Sequence, residues 1–162
     1  ALPNPNPRLR RHPWRRLQPT RSITYKTIGD RQLQLHIFEP ASFKTTDKRT
    51  CYITIHGGGW VGMTPARMFP FADHFAKLGM VGISVQYRLY NAKTQTTVFD
   101  CVKDARTAVR YVRAHAADLG IDPTKIIVSG GSAGGISLPP PPSLTASTKP
   151  VKTHRSPASP TH

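Results

Sequence analysis

The segment Lys125-Ile126-Ile127-Val128-Ser129-Gly130-Gly131-Ser132-Ala133-Gly134-Gly135 joins a short β-branched run to a cluster of glycines. The run reads as a buried strand. Gly130, Ser132 and Gly134 fit the pattern G-x-S-x-G, whose glycines permit a strained strand-to-helix turn that lifts a serine oxygen clear of a sheet. After Ser132 neither Asp nor Glu occurs again before the C-terminus.

Working upstream, the pattern alternates. Residues 23–28 and 31–38 predict a hairpin around Gly29-Asp30. Leu33, Leu35 and Ile37 alternate with Gln32, Gln34 and His36, which gives the second strand one apolar face. Cys51–Ile55 predicts a third strand, closed by His56-Gly57-Gly58-Gly59-Trp60. A helix is expected over 67–78, with a stripe of Met68, Phe71, Ala72, Phe75 and Leu78 and a stop at Gly79. Residues 81–87 predict a fourth strand. A second helix carries Val98, Cys101, Val102, Ala105, Ala108, Val109, Val112 and Ala116 on one face, and Thr97 with Asp100 resembles a capping box at its start. Strand, helix, strand, helix, strand, turn is the signature of an α/β layered fold with a mostly parallel sheet, here with an antiparallel N-terminal hairpin and flanking helices.

A length of 162 residues suggests one domain. Its ends differ in composition from its middle. Residues 1–21 contain six arginines and five prolines, and residues 139–162 contain three cations and seven prolines, with no acid in either flank. All eight acids fall within 22–138. Proline breaks helix and ladder, and few large apolar residues remain to offset chain entropy. Both flanks, a basic arm over 1–21 and a tail over 139–162, are therefore expected to be disordered, and the folded part to be 22–138. No apolar run is long enough to span a bilayer, and the arm lacks a secretory apolar core. Cys51 and Cys101 make neither a metal pattern nor a disulfide framework, so the expectation is two reduced thiols in a cytoplasmic protein with no cofactor or metal.

Two motifs fall at the C-terminal ends of predicted strands, where open α/β sheets place their ligands: His56-Gly57-Gly58-Gly59-Trp60 and the serine turn. Together with Gln86-Tyr87-Arg88-Leu89, the helix around Asp104-Ala105 and Tyr111-Val112, and Gly120-Ile121-Asp122-Pro123, they resemble the α/β-hydrolase superfamily. The resemblance is to its esterase and lipase branch, similar to hormone-sensitive lipase and the small acetyl and feruloyl esterases, and covers about residues 30–137. It implies a serine hydrolase of carboxylic esters, acetylated carbohydrate among its candidate substrates. Ser132 would be the nucleophile. The amides of Gly57, Gly58 and Ala133 would form the oxyanion hole, each donor worth about 3–4 kcal/mol in the transition state. His56 would brace the loop rather than act as base.

The resemblance also implies a chain order of serine, acid, then histidine. Only His154 and His162 follow Ser132, both in the proline-rich tail, so no triad acid or base is assigned. Asp100 and Asp104 precede the serine, and Asp104 is expected to anchor a loop or pair with a cation such as Arg88. The family continues from the serine turn into a long helix, whereas here Leu138 meets Pro139-Pro140-Pro141-Pro142 and allows at most one turn. The fold expected is thus an incomplete α/β-hydrolase fold. The strand 125–129 would lack the further parallel strand that normally lies beside it and leave an apolar edge of Ile126, Ile127 and Val128 open to self-association. Two other functions stay open: a truncated, catalytically inactive product, and a basic module binding nucleic acid or anionic surfaces through the N-terminal arm, for which no specific nucleic-acid motif is present. If a frame change or a wrong gene model produced the tail, the other two reading frames beyond codon 137 will encode helix-forming sequence followed by an Asp and a His. Finding neither in either frame would remove that explanation.

Overall fold

The computed structural model describes residues 17–138. The chain opens with β1 (Arg21–Ile28) and β2 (Arg31–Phe38), an antiparallel hairpin closed by Gly29 at φ 54°. Pairing skips Tyr25 between Thr24 and Lys26. The bulge turns Tyr25 inward, where it is buried and donates a 2.6 Å hydrogen bond to the Gln86 carbonyl. β3 (Arg49–Ile55), β4 (Val81–Val85) and β5 (Ile121–Gly130) complete a five-stranded sheet in the order β1-β2-β4-β3-β5. β2 meets β4 antiparallel, and β3 lies between β4 and β5, parallel to both.

The two faces of the sheet follow from the period of two in its strands. Leu33, Leu35, Ile37, Cys51, Ile53, Ile55, Val81, Ile83 and Val85 point to one face and join one core cluster with the apolar side of α2 (Val98–Ala114). Their neighbours point to the other face, toward α1 (Phe69–Lys77), where His36 meets Phe69, Tyr52 stacks on Phe75, and Ser84 Oγ donates to the Pro65 carbonyl. With helices on both sides, β4 is buried at all five positions.

Several boundaries differ from the sequence reading. Pro70 near the start of α1 delays the α-helix, and the residues before it, Pro65–Met68, form a 3-10 turn. The buried face of α1 is Phe69, Ala72 and Ala76, while Phe71 and Leu78 from the predicted stripe are 52% and 62% exposed. The cause is Gly82 of β4, which lies so close under the backbone of Ala72 that a Cβ would collide with its carbonyl. That approach needs small residues on the helix face against the sheet. β4 ends at Val85 rather than at Tyr87. β5 begins at Ile121, four residues earlier than the apolar run suggests, with a register shift against β3 that accommodates the stretch around Pro123.

Residues 17–21, which composition groups with the basic arm, are part of the fold. Leu17 packs beside Phe38 and Phe69, the Thr20 amide bonds the Ile37 carbonyl, and Arg21 pairs with Glu39 at 2.8 Å. The rest of the arm, the tail, His154 and His162 lie outside the described residues. Among the described residues β5 pairs with β3 alone, and Ile127 is 47% exposed.

α2 begins at the capping box read from the sequence: the Asp100 amide donates to Thr97 Oγ1, and the Thr97 amide donates to the Asp100 carboxylate. One turn on, Asp104 is fully buried and held by Arg88 Nε at 2.7 Å and Lys26 Nζ at 2.5 Å. This cluster ties α2 to β1 and to the segment after β4. Asp104→Asn removes the charge and leaves two cations facing a neutral amide, so we expect a loss of about 3 kcal/mol, read as a lowered urea midpoint at unchanged slope.

Candidate active site

β3 and β5 are parallel neighbours, and their last residues, Ile55 and Gly130, sit opposite one another. The loops that follow are therefore side by side at the same end of the sheet. The β5 loop turns sharply. Ser132 has φ 52° and ψ −121°, a strained conformation for a residue with a side chain. Ser132 caps α3 (Ala133–Ile136), a single helical turn as the sequence expected. Two glycines make the turn possible. A Cβ on Gly130 would collide with the backbone of Gly134, and a Cβ on Gly134 would collide with the Ile55 carbonyl. The turn is thus pressed onto the end of β3. Ser132 itself is exposed, and its hydroxyl has no hydrogen-bond partner among the described residues.

The β3 loop lies directly against it. A Cβ placed on Gly57 would lie 3.4 Å from Ser132 Cβ and 2.7 Å from the Gly131 carbonyl oxygen. Gly58 and Gly59 take φ of 98° and 60°, and a Cβ on Gly58 would fall 2.5 Å from the Gly62 carbonyl. The Gly57 and Gly58 amides make no hydrogen bond among the described residues. The Ala133 amide opens α3, a position that has no partner inside a helix.

His56 is buried beneath this loop. Its Nδ1 lies 2.9 Å from the Gly57 carbonyl, which can only accept, so Nδ1 carries the proton. The ring stacks on Tyr87 at 4.3 Å, and the Tyr87 hydroxyl donates to the His56 carbonyl at 2.8 Å. Burial pushes His56 below its ordinary pKa of 6.5. Tyr87 was visible in the sequence only as part of a motif, because its contact with His56 spans thirty-one residues. Trp60 Nε1 donates to Ser137 Oγ at 3.3 Å, and Ser137 Oγ donates to the Ala133 carbonyl at 2.8 Å. This link across the two loops had no sequence signal.

The other described histidines are engaged elsewhere: His36 with Ser22 and Phe69, His74 with Phe75, and His115 with Tyr111. Asp100 is occupied by its cap and by Arg88 at 3.6 Å, and Asp104 by its cations. Cys101 is buried in the α2 stripe, where burial raises its thiol pKa. No cluster of His, Cys, Asp or Glu among the described residues could hold a metal. No described helix is long and apolar enough to cross a membrane. A pocket of 260 Å³ beside Gly130 and Gly131 is lined by Tyr52, Thr54, Met68, Phe71 and Ser129.

A strained serine turn beside a glycine loop on adjacent parallel strands is the arrangement of an α/β-hydrolase. Residues 35–138 match the BD-FAE family model, and the chain belongs to that family of α/β-hydrolase esterases. It is 35% identical to an AB hydrolase superfamily protein of Schizosaccharomyces pombe, over 61% of this chain and 28% of that protein. It is 30% identical to the carboxylesterase NlhH of Mycobacterium tuberculosis, over 71% of this chain and 34% of that protein. The chain therefore spans about a third or less of these relatives' lengths. Propionate-bound Est2, an esterase from the planctomycete Thermogutta terrifontis, aligns with a TM-score of 0.68 at 43% identity, over 72% of this chain and 43% of that one. The same esterase phosphonylated by sarin aligns at a TM-score of 0.69 and 42% identity, over 72% of this chain and 42% of that one.

Because burial holds the His56 pKa down, the unfolded chain binds the extra proton first as pH falls. The contribution of His56 is complete above pH 6.5 and declines as pH drops from there toward the folded-state pKa. His56→Gln should lower stability by about 1 kcal/mol at neutral pH and flatten the loss below pH 6.5, measured by urea denaturation across pH.

Proposed function

We propose that this chain carries the nucleophile half of a serine esterase. The observation that carries the reading is the strained Ser132 turn packed against Gly57. Ser132 Oγ attacks the carbonyl carbon of a carboxylic ester. The C=O π pair moves to oxygen, and the resulting oxyanion accepts hydrogen bonds from the free amides of Gly57, Gly58 and Ala133. Those donors are fixed by the fold before substrate arrives, so they need no reorganisation as charge develops. His56 holds the Gly57 peptide in place from below and, being buried and bonded to it, does not serve as the base.

The proton on Ser132 Oγ needs an acceptor oriented by a carboxylate. Every described histidine and the two α2 carboxylates are committed elsewhere, so Ser132 finds no triad base among residues 17–138. This favours a second reading, in which the chain by itself is catalytically impaired while keeping a poised serine. The acyl groups we assign are short, on the likeness to propionate-bound Est2, with acetylated carbohydrate as one candidate class.

Incubation with a fluorophosphonate probe and with p-nitrophenyl acetate tests both parts. We expect probe labelling that is lost in Ser132→Ala, and slow turnover that Ser132→Ala reduces only modestly. Equal labelling and equal rates in the two proteins would sink the nucleophile assignment. Turnover that falls by about a thousandfold or more on Ser132→Ala would instead show that a base is supplied, and would refute the impaired reading. Gly57→Ala, which forces the β3 loop away from Gly131, should reduce labelling while leaving the protein folded by circular dichroism.

A further inference from the structure

α2 presents a second surface that ester chemistry does not use. Its inward face is buried from Cys101 to Val112, so the helix lies flat along the sheet. Both of its acids are consumed: Asp104 by Lys26 and Arg88, and Asp100 by the capping box and Arg88. What remains outward is Lys103, Arg110 and Arg113, with Arg106 beside them half-buried and its Nε shut off from solvent. At 100° per residue these four fall within an arc of about 80° and span about 15 Å along the axis. None makes an ion pair among the described residues, and Arg110 has only Thr107 Oγ1, at 2.9 Å. Elsewhere Arg21, Lys26, Arg49, Lys77, Arg88 and Lys125 are each paired with an acid. Like charges at these helical spacings repel, so packing against the sheet holds together a row that its own electrostatics oppose. Phe99, 76% exposed, lies in the same arc at the helix's N-terminal end.

We propose that this outward face of α2 docks the protein on an anionic lipid surface. A straight row of charge on a flat-lying helix can meet a plane of headgroups along its whole length. Phe99 supplies an apolar ring at the edge of the row, suited to the boundary between headgroups and acyl chains. A nucleic-acid duplex fits less well. Groove readers insert a helix into the major groove, whereas α2 is sunk into the sheet, and the aromatic next to the row, Tyr111, is stacked on His115 rather than open to a base. The inference is independent of the esterase reading.

The test is co-sedimentation of the full chain with phosphatidylcholine vesicles, with and without phosphatidylserine. Binding should require phosphatidylserine and weaken as salt rises. The variant K103Q/R110Q/R113Q should lose affinity on the order of a hundredfold. The control K44Q/K48Q/K93Q has the same net charge with its changes in exposed loops, and should lose far less. R110K/R113K keeps the charge and should keep the binding, which separates a docking role from misfolding. Equal losses in the two triple variants, or no loss in the α2 variant, overturn the proposal and leave binding to net charge or to the N-terminal arm. Binding to a short DNA duplex that is tighter than to vesicles and depends on the same three residues also overturns it, in favour of nucleic acid.

Discussion

The parallel pairing of β3 with β5 is the constraint on which the site depends. Register fixes Ile55 opposite Gly130, so two loops that are seventy-odd residues apart in sequence emerge side by side. The β5 turn is then pressed onto the end of β3, with no room for a side chain at Gly130 or Gly134. If β5 slipped by one residue, every side chain would change face and the serine would no longer project beside Gly57. The backbone strain at Ser132 persists because glycine packing below and α3 behind leave the turn no alternative.

A second layer holds that geometry rigid. His56 and Tyr87 stack under the β3 loop, and the Tyr87 hydroxyl closes it from the end of β4. Trp60 and Ser137 tie the two loops together from above. On the α2 side, Asp104 gathers Lys26 from β1 and Arg88 from beyond β4. Each contact joins elements distant in sequence, so none is a local preference of the chain. They are expressed only once hydrophobic burial has assembled the sheet. The same burial turns both acids of α2 toward their cations and leaves its outer face cationic.

Most of the fold was legible because its signals are local. The alternation of Leu33, Leu35 and Ile37, the stripe from Cys101 to Val112 and the Thr97–Asp100 cap all depend on spacing within one element. The parallel run β4-β3-β5 and the antiparallel hairpin at the edge of this mixed sheet followed from the order of those elements, and the family resemblance follows from two short motifs. Errors arose where a neighbour overrode the local pattern. The predicted stripe of α1 was apolar enough, but the close approach of Gly82 to Ala72 sets which face of the helix meets the sheet, and Phe71 is turned out. Leu17 through Arg21 read as part of a basic arm because burial against Phe38 and Phe69 leaves no mark in composition.

The amino-acid sequence by itself determined the motifs of the candidate site: a serine among glycines after a β-branched run, a second glycine loop after an earlier strand, and no acid beyond the serine. These are matters of residue type and short-range spacing, and chain order preserves them. Only the tertiary structure decided that the two loops touch, that His56 is buried with Nδ1 against the Gly57 carbonyl, and that Asp104 answers to two cations at once. Those outcomes depend on strand register and on which face each side chain takes. Both are set by long-range packing, which a one-dimensional pattern does not encode pair by pair.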